Sequence, residues 1–139
     1  MTYGYGVINV NSKNLNLFEF SNKISKEEFN KFKSDFDNLL NKQDKFLVVF
    51  NLLKIKSFDI NFFLKKMDYI YKNKDLVKMY MSGSTIVISN KYLGILKFGL
   101  AMKKPLCPNC VTEDLRDGMN FLVIKLAKKS LINLKVIST

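Results

Sequence analysis

The 139-residue chain has no His, no Trp, two Cys, two Pro, six Gly and a single Arg, Arg116. Each scarcity closes off a chemistry. Without His, general acid–base work falls to carboxylates, Lys, Tyr or Cys. A zinc site would start from Cys107 and Cys110 alone, two thiolates where a tetrahedral site needs four ligands. The near-absence of Arg removes the residue best suited to bidentate phosphate or base contacts. Gly4-Tyr5-Gly6 and Ser82-Gly83-Ser84 hold too few glycines, in the wrong setting, for a phosphate-cradling loop. The most apolar stretches, 92–102 and 119–127, are interrupted by Lys97 and by Asn120 and Lys125, and neither reaches the length of a membrane span. The N-terminal residues Met1 to Gly6 lack the charged-then-apolar pattern of a secretory signal. From these absences we expect an intracellular, cytoplasmic protein that is noncatalytic, uses no cofactor and has no transmembrane span.

What is present is Lys, Asn and Phe. Of 23 basic residues 22 are Lys, Asn occurs 15 times and Phe 12 times, and the formal net charge is +11. A bias toward Lys, Asn, Ile and Phe is what an AT-rich coding sequence produces, and it admits a viral or parasite genome as the source. The charge is therefore in part codon supply. A basic surface attracts polyanions through a salt-sensitive field, yet solvated lysines explain the same composition. Hydrophobic content of 47% with regular periodicity argues for one packed domain.

Strand and helix patterns alternate along the chain. Residues 6–10 and 15–20 form a hairpin pair around the polar cluster Asn11-Ser12-Lys13-Asn14. Ser25 and Glu28 have the spacing of a capping box, with Ile24 and Phe29 as its hydrophobic staple. Phe29, Phe32, Phe36, Leu39 and Leu40 then recur at helical spacing. The run Phe46-Leu47-Val48-Val49-Phe50 is a buried strand. A second helix starts at Ser57 as N-cap, with Asp59 near its positive end; Ile60, Phe63, Leu64, Met67, Ile70 and Tyr71 form its buried face. A strand over 85–89, a helix over 91–102, a short strand over 109–111 and a last helix from about Glu113 complete the order. Gly94, Gly99 and Gly118 in these helices imply close packing. The carboxylate pairs Glu27-Glu28 and Glu113-Asp114 sit at helix starts, where the dipole favours them. Alternating strands and helices predict an α/β domain with a mixed sheet: an antiparallel N-terminal hairpin, three or four parallel strands and about four helices. Val48, Phe50, Ile86, Ile88 and Val111 should be buried on its central strands.

Three stretches carry a resemblance. They are Phe46-Leu-Val-Val-Phe-Asn-Leu-Leu-Lys-Ile55, Ser84-Thr-Ile-Val-Ile-Ser-Asn90, and Lys104-Pro-Leu-Cys-Pro-Asn-Cys-Val-Thr-Glu-Asp-Leu-Arg-Asp-Gly-Met-Asn-Phe-Leu122. Over about residues 5 to 128 the chain resembles the STAS family, the domain of anti-sigma-factor antagonists and sulfate-transporter tails, and most of all its divergent STAS-like relatives. The resemblance implies a STAS-like domain over residues 1–130; the apolar residues Leu131 to Ile137 make 131–139 a C-terminal extension that either docks a partner or packs back on its own domain. The resemblance further implies a module that binds proteins through a sheet edge and adjacent helices. The family's phosphorylatable Ser follows an Asp at the start of the second helix. Here that Asp falls on Asp59, and Ile60 and Asn61 follow, so the acceptor hydroxyl is missing.

The expected function is accordingly a noncatalytic protein-interaction module: an adaptor, scaffold or assembly component that binds a protein partner or itself. The alternatives are a basic polyanion-binding protein, for nucleic acid or an anionic membrane surface, and a carrier of an apolar ligand or lipid. Candidate residues are a basic face at Lys91, Lys97, Lys103, Lys104, Lys125, Lys128 and Lys129, and a docking tail at Leu131, Ile132, Leu134, Val136 and Ile137. Cys107 and Cys110, in Cys-Pro-Asn-Cys, are a redox candidate weighed against structural thiols.

Overall fold

The computed structural model describes residues 3–21 and 25–126. Strands β1 (Tyr3–Val10), β2 (Lys13–Ser21), β3 (Phe46–Lys54), β4 (Met81–Val87) and β5 (Asn109–Thr112) form one sheet in sequential order. β1 and β2 pair antiparallel, and the β2–β3, β3–β4 and β4–β5 pairs are all parallel. The parallel strands are joined by α1 (Lys26–Asn41), by α2 (Ile60–Lys72) with α3 (Lys74–Tyr80), and by α4 (Leu93–Met102). After β5 comes α5 (Leu115–Asn120), which runs into a π-helical turn, Phe121–Lys125. The expected mixed sheet is what forms, with four parallel strands and five α-helices among the described residues.

Side-chain alternation sets the two layers. Phe18, Phe20, Val48, Phe50, Leu52, Ile86 and Ile88 face α1 to α4 in the main core. Leu15, Val49 and Val87 face Leu122 and Val123 in a smaller one. Being covered on both sides makes Phe46 to Phe50 of β3 read as a continuous apolar run. The hairpin turn is a two-residue one: Asn11 and Ser12 adopt φ of 50° and 65°, the left-handed pair that a right-twisted hairpin needs. Lys13 and Asn14, expected in the turn, begin β2 instead. The capping box forms, with Glu28 N–H donating to Ser25 Oγ at 3.1 Å. Ile24 of its staple lies outside the described residues.

Several expectations are corrected. Asp59, not Ser57, caps α2: its carboxylate accepts from the N–H groups of Asn61 (2.9 Å) and Phe62 (3.3 Å). β4 starts at Met81 and ends at Val87: Met81, Gly83 and Ser84 pair with β3 across a bulge at Ser82, and Ser84 also pairs with β5, despite modest strand propensity. The polar segment after Tyr71 holds a separate helix, α3. A 3₁₀ turn, Asn90–Tyr92, precedes α4. Val111 is only half-buried because β5 is the sheet edge.

The helix glycines divide by what surrounds them. A Cβ on Gly118 would lie 2.5 Å from Thr85 Cγ2, and one on Gly99 would lie 2.7 Å from the Phe63 ring. Gly94 is exposed with nothing within 4 Å, so the close-packing expectation fails there. Gly118→Ala should destabilise the protein by about 1–3 kcal/mol through overpacking. Gly94→Ala should be neutral or stabilise it by up to ~1 kcal/mol. Paired urea unfolding curves check both signs.

Candidate functional site

The most distinctive local chemistry lies at the carboxyl ends of β2 and β3. There the pairing slips: Glu19 pairs with Asn51, but Ser21 pairs with Lys54, leaving one extra residue on β3. Asn51 Oδ1 accepts from the Leu53 N–H at 3.1 Å and absorbs the irregularity. The chain then crosses to α2 through Ile55 to Asp59. Two contacts pin this crossing: Tyr92 Oη donates to the Lys56 carbonyl, and Phe58 packs on Phe63 with ring centroids 5.7 Å apart. Between crossing, sheet and helix is a cavity of about 470 Å³, lined by Phe20, Leu52, Ile55, Phe58, Ile60, Phe62, Phe63 and Lys66, with the exposed Ser57 and Asp59 at its mouth. Phe62, off the main apolar stripe of α2, lines this space and sets its ring edge-on against Phe29.

Lys66 is the residue that the sequence reading missed. It is 3% exposed. Its Nζ lies 3.8 Å from the Phe50 ring centroid and 5.3 Å from that of Phe20. Among the described residues it makes no hydrogen bond or ion pair. Burial holds its amine down at about 7, against an ordinary value of 10.5. Phe63, Lys66, Met67 and Ile70 are the buried positions of α2. The signal was therefore in the spacing: position 66 is three after Phe63 and four before Ile70, inside the stripe. Reading only apolar residues concealed it.

The structure separates the expected basic face. Lys91 and Lys97 are exposed near α4 and on it, with Lys91 Nζ 5.4 Å from the Tyr92 ring centroid. Lys103 is occupied by Asp68 at 2.9 Å and lies over the Tyr71 ring. Lys104 is exposed, and its carbonyl accepts from Tyr71 Oη. Lys125 is exposed in the π-helical turn on the opposite side of the sheet. Lys128, Lys129 and the tail residues Leu131, Ile132, Leu134, Val136 and Ile137 lie outside the described residues. A different group of lysines, Lys13, Lys45 and Lys78, converges on a broad depression of about 1040 Å³ that Cys107 also lines.

Cys107 and Cys110 are both half-buried free thiols. Burial raises both thiols above the ordinary value, most directly opposing thiolate formation, although the Ser84 hydroxyl, 3.6 Å from Cys107 Sγ, and the charge of Lys125 near Cys110 act the other way. A reactive cysteine needs the reverse balance. Among the described residues no cluster of three or more Cys, Asp or Glu is placed to hold a metal, and no helix is long and apolar enough to cross a membrane.

A second feature is the outer face of α4. Ile95, Phe98 and Met102 are 46%, 64% and 57% exposed at positions i, i+3 and i+7, one row on the helix surface. The row runs beside the exposed Lys97, and α4 has no carboxylate of its own.

No protein-family model and no curated protein matches the chain. A solved structure does: the crystal structure of an uncharacterized protein of the DUF3478 family, with a SpoIIAA-like fold, from Shewanella loihica PV-4. It superposes with a TM-score of 0.67 over 86% of this chain and 93% of that one, at 10% sequence identity. At that identity the likeness speaks for the fold alone, and with the sheet order and helices described above it gives the protein a SpoIIAA-like, that is STAS-like, α/β fold.

Proposed function

We propose that the protein is a noncatalytic binding module whose principal site is the Lys66 cavity, where it holds one small apolar molecule. The observation that carries this reading is a largely apolar cavity of about 470 Å³ with a buried lysine in its wall that, among the described residues, has no ion-pair partner. That volume is in the range of small-molecule sites. Its position outside the carboxyl ends of parallel strands is where open α/β sheets take ligands. An ionisable group perturbed by burial in a cleft marks a candidate functional site.

A second reading has its own observation. The exposed row Ile95, Phe98 and Met102 beside Lys97 suits a protein partner with an apolar groove and an acidic rim. The SpoIIAA-like fold is compatible with a noncatalytic protein-interaction module. Gly99 on α4 meets Phe63 of the cavity wall, so docking on α4 and occupancy of the cavity involve touching elements. The tail over 131–137 is proposed as a further docking element.

Purification from the native source followed by intact-complex mass spectrometry tests these readings together. The expected result is one apolar compound per chain, released by organic solvent. Phe98→Glu, or deletion of residues 131–139, should remove any stoichiometric protein partner without releasing that compound. Recovery of salt-sensitive nucleic acid and no bound compound would overturn the proposal in favour of a polyanion-binding protein.

A further inference from the structure

Among the described residues Lys66 has no acidic partner, which buried lysines ordinarily have. Among the described residues the one other charged group on the cavity lining is Asp59. It lies seven residues earlier in the chain, roughly 10 Å away along the α2 axis at the rise of an α-helix. Its carboxylate is already committed to the N–H groups of Asn61 and Phe62. Within the protein an ammonium at Lys66 thus meets only the faces of Phe50 and Phe20, with the open side of the cavity left to solvent.

An anionic ligand would relieve this poorly. Both charges would have to leave water, and Ser57 is the one hydroxyl on the lining to satisfy a second carboxylate oxygen. The uncharged amine has the opposite standing. Apolar walls tolerate it, and its free lone pair makes it a nucleophile toward a carbonyl carbon. With the amine held down to about 7, a large share of Lys66 carries that lone pair at neutral pH.

We propose that Lys66 forms a reversible imine with the carbonyl group of a small apolar aldehyde or ketone held in this cavity. The inference rests on the cavity being a ligand site. The amine lone pair adds to the carbonyl carbon to give a carbinolamine. Its hydroxyl departs with a proton as water, and the nitrogen lone pair closes the carbon–nitrogen double bond. No electron acceptor or donor is needed, and re-addition of water returns amine and carbonyl. Leu52, Ile55, Phe62 and Phe63 would surround the apolar body and keep bulk water from the bond. The Phe50 face, already placed for a cation at Nζ, would stabilise the protonated imine.

The full chain, incubated at neutral pH with one equivalent of decanal and then reduced with borohydride, should gain one secondary-amine adduct. Peptide mapping should place it on Lys66 at least about tenfold above any other lysine, because the uncharged fraction there exceeds that of a solvated lysine by about a thousandfold. Lys66→Met should abolish this adduct while melting cooperatively at or above the wild-type midpoint, showing that the fold persists, and the wild type should bind the fluorophore 1-aminoanthracene, which has no carbonyl group. An adduct spread evenly over the lysines, or undiminished in Lys66→Met, with 1-aminoanthracene still bound, overturns the imine and leaves the ligand site standing. Failure of the wild type to bind 1-aminoanthracene overturns both.

Discussion

Phe32→Ala should lower the stability of the protein by about 3–5 kcal/mol, as expected for truncating a fully buried ring whose cavity cannot collapse. Phe32 has no exposed surface and is the hub of the aromatic layer between α1 and the sheet. Its ring centroid lies 5.2 Å from Phe18, 5.6 Å from Phe20, 5.8 Å from Phe36 and 6.1 Å from Tyr69. The contacts to Phe18, Phe20 and Tyr69 are edge-to-face, the arrangement that ring quadrupoles favour. A domain of this size has roughly 5–15 kcal/mol in total, so the loss should bring the thermal midpoint down by roughly 10–20 °C. Phe98→Ala is the control: at 64% exposure it should change stability by no more than about 0.5 kcal/mol. Differential scanning calorimetry of the two variants checks the contrast. Equal effects would mean that α1 does not pack on the sheet through Phe32.

Lys66→Met should act in the other direction and stabilise the free protein by about 1–3 kcal/mol at neutral pH. Replacing a buried charge by an apolar side chain of similar length removes a desolvation cost of several kcal/mol, and the lost cation–π contacts offset roughly 2 kcal/mol of it. The pH dependence gives the sign independently. The folded-state value of Lys66, about 7, is below the ordinary 10.5, so between them the unfolded chain holds more of this proton. Stability should therefore rise as pH increases from about 7, with a slope approaching ~1.4 kcal/mol per pH unit. The full cost of burying the ammonium applies below that range. Groups shifted upward work against this at higher pH. Cys107 and Cys110, from the ordinary 9.0, and Tyr3 and Tyr69, from the ordinary 10.0, retain protons in the folded state and lose stability as pH rises past those values. The Lys66 effect is thus read between pH 7 and about 9. Urea midpoints in that window should climb for the wild type and stay flat for Lys66→Met; parallel curves would place Lys66 in contact with water.

The sequence made the sheet readable where one physical signal dominated. Phe46 to Phe50 is buried on both faces and so reads as an unbroken apolar run. Ser25 and Glu28 cap α1 through local chemistry alone. Legibility failed where tertiary structure chose between local options. Ser57 and Asp59 are both capping residues, and only the path of the crossing selects Asp59. Ser82 to Ser84 precede the expected strand, yet pairing of Gly83 and Ser84 with β3 and of Ser84 with β5, with Leu122 and Leu126 over Gly83, makes the segment part of β4. The cavity was illegible for a related reason: residues 20, 52–63 and 66 meet only after β2, β3 and α2 assemble. Lys66 was passed over because charge ordinarily marks a solvated face, whereas here the helix places it inward.

Titration of the wild type with 1-aminoanthracene, alongside Ile55→Trp and Phe98→Glu, bears most directly on the cavity as the binding site. Ile55 is on the cavity wall, and a Trp there would fill the space from its rim; Phe98 is on the outer face of α4. Saturable one-to-one binding by the wild type and Phe98→Glu is expected, with affinity reduced at least about tenfold in an Ile55→Trp variant that still melts cooperatively, equivalent to about 1.4 kcal/mol. Unsaturable binding by the wild type, or undiminished affinity in Ile55→Trp, would contradict it.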